Sequence, residues 1–276
     1  MPSRPSVLYV TDLTYPARGR RYGDEDTALT ARLREDFDLA LCHPVDAAAL
    51  MDPFDVVVVR NSGPVLAYRA EYEAFRERCR ARRTRLYNPL TGRADMAGKG
   101  YLVELGRAGF PVIPTVDRTA DLDRLPTAAA YVVKPRLGSD SIGLMVLAPD
   151  QVRAADLGDV LIQPKIDFRY EVSFYFVDDV FQYALYAPRP DRRWDLVPYR
   201  PDPADLAFAR RFIAWNDIRH GVQRVDACRT GDGDLLLVEL EDLNPYLSLD
   251  LVDEATRDRF VAALKDSIRG LLATPS

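Results

Sequence analysis

Three short apolar runs near the start of the chain, within SVLYVTDL (6–13), FDLALC (37–42) and FDVVVVRN (54–61), alternate with stretches patterned as helices. This alternation constrains the fold more than any other feature. Short β-rich runs that alternate with helices predict parallel strands covered by helices, hence an α/β unit. The helices are expected at about 26–36, briefly after Cys42, and over RAEYEAFRERCRARR (69–83), with the unit ending near Asn88. No G-x-G-x-x-G follows the first strand, so the phosphate fingerprint of a dinucleotide fold is missing. Ligands of open α/β sheets sit beyond the carboxyl ends of the strands. The polar residues there are Arg18, Arg20, Arg21, Asp24 and Glu25 after the first run, and Arg60 and Asn61 after the third. They read either as solvated loop charges or as substrate contacts.

A second unit begins with TGRADMAGKGYLVELGRAGFPVIPTV, a helix stopped by Gly109 and Pro111 and followed by a short strand. It continues through YVVKPRLGSDSIGLMVL (131–147), where Lys134 and Arg136 end an apolar run and Gly138 to Gly143 form a turn containing Ser139 and Ser141. Such a turn lets backbone N–H groups approach an anion, with cations beside it, or it is an ordinary hairpin turn. It is not a P-loop, which needs Lys and Ser or Thr after the second glycine and then a helix, whereas Leu144–Leu147 reads as a strand. The third unit opens with RYEVSFYFVDDVFQYALYAPR, a hairpin with one buried face turning at Asp178-Asp179, and adds helices at about 203–215 and 254–272.

The most informative segment is GVQRVDACRTGDGDLLLVELEDLNPYLSLD (221–250). A turn at Asp232-Gly233 sets Asp226 opposite Glu239 and Arg224 opposite Glu241, all four on one side of the ladder. Asn244 lies just beyond. A solvent-facing row of charges would look similar, but carboxylates directly across a ladder repel one another unless a cation lies between them. Hard oxygen ligands without His or Cys suit Mg²⁺, which takes a few carboxylates together with substrate phosphates. The turn at 138–143, with Lys134 and Arg136, would then grip the phosphates of a nucleotide, with Mg²⁺ bridging them to the hairpin.

Composition narrows the remaining choices. Lys and Arg number 37 against 42 Asp and Glu, a net charge of -5, which disfavours nucleic acid as a partner. No apolar run approaches the roughly 18–20 residues that span a bilayer, and no signal-peptide pattern opens the chain, so a cytoplasmic location without membrane contact is expected. Three separated cysteines, Cys42, Cys79 and Cys228, and two histidines, His43 and His220, supply neither a zinc site nor a histidine-based triad. The chemistry must rest on carboxylates, lysines and arginines.

In this order the pieces resemble the ATP-grasp superfamily, which includes D-alanine:D-alanine ligase, biotin carboxylase and glutathione synthetase. The resemblance implies an α/β ATP-grasp fold divided into an N-terminal parallel-sheet domain (1–88), a central nucleotide-binding unit (89–166) and a C-terminal grasp unit with the metal site (167–276). It implies ATP and Mg²⁺ as cofactors. Lys99 and Lys134 resemble the family's two nucleotide lysines, with Lys134 also catalytic, and GSDSIG its phosphate-covering loop. LIQPKID resembles the segment along adenine, placing Gln163, Lys165 and Ile166 near the base and Asp167 or Glu171 near the ribose. Asp226, Glu239 and Glu241 match the metal ligands, although Glu241 stands where many members carry Asn. Arg224 matches the arginine that steadies an acyl phosphate. The ELED–NP form looks like ATP-grasp enzymes of natural-product pathways, the cycloserine-forming kind among them. The implied activity is ATP-dependent carboxylate–amine ligation of amino-acid-like small molecules, and a homodimer is common in the family. Arg18, Arg20, Arg21 and Arg60 are candidates for a substrate carboxylate, Asp24, Glu25 or Asp26 for an ammonium, and Asn244 for a further contact. Ring closure within one molecule, phosphoryl transfer by a kinase of the same fold and ATP binding without catalysis are the alternatives.

Overall fold

A computed structural model describes residues 4–17, 20–60, 65–95, 98–138 and 141–274. The N-terminal segment contains β1 (Ser6–Val10), the two-residue strands β2 (Pro16–Ala17) and β3 (Arg20–Arg21), α1 (Tyr22–Leu33), β4 (Asp38–Cys42), α2 (Ala47–Leu50), β5 (Val56–Val59), α3 (Arg69–Arg82) and β6 (Leu86–Tyr87). Strands β4-β1-β5-β6 form the expected parallel sheet. Alternation along its strands sends Leu8, Val10, Val57 and Val59 against Tyr72, Phe75 and Cys79 of α3. Val7, Tyr9, Val56 and Val58 face the opposite way, toward Leu29 and Leu33 of α1. The first helix starts at Tyr22 rather than near Asp26, so Asp24 and Glu25 occupy its first turn, where acidic side chains favour the positive end of the helix dipole.

The next segment holds α4 (Tyr101–Arg107), β7 (Tyr131–Pro135), β8 (Met145–Leu147), α5 (Pro149–Ala154) and β9 (Val160–Pro164), with sheet order β8-β7-β9. The short strand expected after α4 is replaced by two isolated bridges, Val112 to Leu237 and Val116 to Ile162. Its residues are divided between two sheets, so no ladder extends along them.

The last segment contains β10 (Phe168–Val177), β11 (Val180–Ala187), β12 (Val197–Tyr199), α6 (Pro203–Asn216), β13 (Val222–Thr230), β14 (Leu235–Glu241) and α7 (Glu254–Ala273). The antiparallel order is β12-β11-β10-β13-β14. Helix α6 begins where Asp202 accepts the N–H of Asp205 and Pro203 takes the first turn, a start signal that requires no tertiary contact. The hairpin β10–β11 differs from its one-faced expectation, since Phe174 and Phe176 pack toward α6 while Tyr175 and Val177 enter the core of the N-terminal sheet. Helix α7 closes that shared core with Phe260, Val261, Leu264 and Ile268.

The turn of β13–β14 has Gly233 at φ +97°. Near the turn Arg229 pairs with Leu235, and a bulge between Asp226 and Ala227 then shifts the register, bringing Asp226 opposite Glu239 and Arg224 opposite Glu241.

Candidate active site

The hairpin's charged face is built by strand alternation and closed by two neighbours. Strand β10 lies beside β13 with Ser173 opposite Asp226, and the Ser173 hydroxyl donates to the Asp226 carboxylate at 2.6 Å. Arg224 donates through Nε and Nη2 to Asp226 at 2.8–3.1 Å, pairs with Glu241, and gives Nη1 to the carbonyl of Tyr246 at 2.9 Å. The cation needed between facing carboxylates is therefore Arg224 for Asp226 and Glu241. For Glu239 it is Lys99, which forms an ion pair with it.

Lys99 comes from the turn before α4, and its Nζ also lies 3.4 Å from Asp95. That turn is tightly held. The side-chain oxygen of Asn216 accepts the N–H groups of Arg93 and Ala94, and a Cβ on Gly92 would fall on the Asp242 carboxylate, so only glycine fits there. Among the described residues, one group of three carboxylates has ligand oxygens all within 4.8 Å of one another: Asp95, Glu239 and Glu241. Asp95 was not anticipated from the sequence, and its spacing of four from Lys99 was the only available signal. Asp226 stands beside this group, committed to Arg224 and Ser173.

The electrostatics fit a divalent cation with a polyphosphate. Burial, with Asp226 and Asp95 adding repulsion, pushes the Glu241 carboxyl well above the usual carboxylate range. Burial likewise raises Asp95. Lys134, at the end of β7, is pulled down to about 7 by burial and by the Lys99 charge. A dication among the acids and phosphate oxygens at the lysine would each favour the ionised forms that burial disfavours.

The remaining expected residues are spread over several places. Ser141 and Glu171 line a cavity of about 160 Å³ with Ser173, Arg193, Trp194, Arg224, Asp226, Glu239 and Glu241. Glu171 is engaged there, accepting Arg193 Nε at 2.6 Å. Gly143 has φ +74° and a Cβ on it would lie 2.9 Å from Pro135, so the turn beneath this cavity requires glycine; Gly138 also abuts Pro135. Asn244 is half-buried in the loop after β14. Arg21 and Asp24 form an exposed ion pair at 2.7 Å and line a second cavity of about 490 Å³ that shares Tyr246 with the first. Lys165 and Asp167 are exposed, Ile166 is half-buried, and Gln163 is buried with its Nε2 donating to Thr115 at 2.8 Å. Arg18 and Ser139 lie outside the described residues, as does the side chain of Arg20.

Three expectations need correction. Arg136 does not face the phosphate turn, because Asp159 at 2.7 Å and Asp117 at 3.4 Å hold its guanidinium, which packs on Gly100, while its carbonyl accepts the Lys99 N–H. Arg60 is not a surface contact for a carboxylate. It is 1% exposed, 3.4 Å from Asp26 and 3.7 Å from Glu25, and donates to the Pro245 carbonyl at 2.6 Å. Glu25, its partner, accepts the N–H groups of Leu247 and Leu249, which occupies the carboxylate expected to meet an ammonium.

No protein-family model matches the chain. The cycloserine biosynthesis protein DcsG of Streptomyces lavendulae is 26% identical over 266 positions, covering 83% of this chain and 88% of that protein. The crystal structure of D-cycloserine synthetase DcsG superposes with a TM-score of 0.75 at 25% identity, covering 94% of this chain and 98% of that one. D-alanine–D-alanine ligase from Bacillus anthracis, complexed with ATP, gives 0.67 at 13% identity, covering 97% of each chain. The ATP-grasp ligase PsnB with its minimal precursor gives 0.67 at 17% identity, covering 96% of this chain and 99% of that one. With Lys99 and Lys134 set near a carboxylate cluster at the end of β14, the chain has the ATP-grasp fold and is an enzyme similar to the ligases that share it.

Proposed function

We propose that this enzyme joins a carboxylate to an amine, both on amino-acid-like small molecules, through an acyl phosphate, releasing ADP and phosphate. The observation that carries this reading is the ion pair of Lys99 with Glu239, which sets a lysine against the carboxylate cluster whose Glu241 also pairs with Arg224. In this reading the chain divides at about residues 88 and 166, and the nucleotide lies against the central unit with its phosphates at Lys99, Lys134 and the turn at 138–143. Glu239 and Glu241, with Asp95 or Asp226, would hold Mg²⁺, which would supply charge neutralisation for the phosphates. The lysines keep the terminal phosphate in line with the attacking carboxylate oxygen. As that oxygen bonds to phosphorus, the bond to ADP breaks; the amine then attacks the acyl carbon and phosphate leaves. Arg224, fixed on three sides, faces the oxyanion that forms at that carbon.

A second reading, closure of a ring within one substrate, is favoured by the similarity to DcsG in both sequence and structure. One experiment covers both. Purified protein is given ATP and Mg²⁺ with pooled amino acids and their hydroxylamine or amide analogues, and phosphate release and product masses are followed. A new mass equal to two substrates minus water supports ligation, and one substrate minus water supports closure. A stable phosphorylated product would instead establish a kinase, and binding without turnover in any pool would remove the reading.

A further inference from the structure

The loop that follows β14 is held from two opposite sides. On one side, the Pro245 carbonyl accepts Arg60 Nη1 at 2.6 Å, and Glu25 accepts the N–H groups of Leu247 at 2.8 Å and Leu249 at 3.0 Å. The carbonyl of Leu247 points the same way and accepts the Tyr183 hydroxyl at 2.7 Å. On the other side, the carbonyl of Tyr246 accepts Nη1 of Arg224. This is the alternation of an extended chain, in which the polar groups of residues 245 and 247 face one way and those of 246 the other. A shift of the loop toward or away from the N-terminal sheet therefore moves the Tyr246 carbonyl, a neutral acceptor of the Arg224 guanidinium.

The two holding side chains are themselves fixed. Asp26, fully buried beside Arg60, accepts the Tyr9 hydroxyl at 2.7 Å and the Thr11 hydroxyl at 2.6 Å. Two buried carboxylates and one buried arginine at this junction are more than loop anchoring needs, because an apolar contact would hold a loop without the desolvation cost of charges. Backbone hydrogen bonds to fixed charged groups specify the height and rotation of a peptide plane, which apolar packing does not.

Resting on the ligase reading above, we propose that Glu25 and Arg60 are positioning residues for Arg224, acting through the peptide planes of 245–249. The N-terminal sheet thereby sets the orientation of the arginine that faces the reacting centre, across a sequence separation of about two hundred residues.

The test observes Arg224 directly. The Nε–H signal of Arg224 is assigned by ¹⁵N NMR through its loss in Arg224→Lys, and its exchange with solvent is measured in the wild type, in Glu25→Gln and in Arg60→Lys. Lys265→Met is the control, since Lys265 joins α7 to Glu35 and Asp36 at 2.6 Å, away from the loop. Circular dichroism fixes a temperature at which every variant is folded. Positioning predicts exchange roughly tenfold faster in Glu25→Gln, as loss of one net hydrogen bond implies. It also predicts an intermediate effect in Arg60→Lys and no change in Lys265→Met, despite a lowered Tm. Unchanged Arg224 exchange in both loop variants would overturn the proposal and leave the ligase reading standing. Failure of wild-type turnover with every substrate pool would overturn the ligase reading alone, since the exchange measurement uses no substrate.

Discussion

Lys99 and Glu239 form an ion pair between two segments that meet only in the folded chain, the turn before α4 and the end of β14. In the proposed mechanism the same carboxylate would hold a metal, and Lys99 would then be available to a phosphate. Glu239→Gln keeps the shape and removes the charge. ATP-dependent phosphate release should fall by at least about 10²-fold, the scale of losing one preorganised electrostatic contact, with an unchanged circular dichroism spectrum. Retained turnover would remove Glu239 from the metal site.

Metal binding is expected to be visible without nucleotide. Mg²⁺ at about 100 times its dissociation constant should stabilise the fold by about 2.7 kcal/mol, read as a rise in Tm. Glu241→Gln should lose most of that rise. An equal rise in the variant would place the cation elsewhere.

The depressed Lys134 makes binding pH-dependent. Folded, it titrates near 7 against an ordinary 10.5, so between these values the unfolded chain holds more protons and this site's contribution to stability grows as pH rises. Polyphosphate favours the charged amine, so binding of ADP with Mg²⁺ at pH 8 should take up close to one proton. Calorimetry in two buffers of different ionisation enthalpy measures this. Lys134→Met should abolish the uptake.

Gly92 tests the turn that carries Asp95. Gly92→Ala pushes a methyl group into the buried Asp242 carboxylate and should cost about 2 kcal/mol in denaturant unfolding. Gly231→Ala, where a Cβ meets nothing, should cost far less.

What the sequence disclosed follows the range of the interactions. The parallel sheet, α3, α6 and α7 carry local signals in their periodicity and caps, and each forms. The pairing of Asp226 with Glu239 was also legible, because a hairpin register depends on a nearby turn, although it is reached through a bulge that the turn alone did not announce. Asp95, Ser173 and Tyr246 were not legible as members of the site, since each arrives from another element. Arg60 departs from its expectation for the same reason. A cation at a strand end looks exposed until residues 245–249 are known to lie on it.

The core shared by Tyr9 and Val58 with Tyr175, Val177 and Phe260 has a consequence for how such enzymes can diversify. The first ninety or so residues are not a cassette to be exchanged for those of a relative, because half of the floor they rest on is encoded at the other end of the gene. Recombination at their boundary would break packing and site geometry together, so new specificities in this architecture are easier to reach by point changes around the cavity than by shuffling of segments.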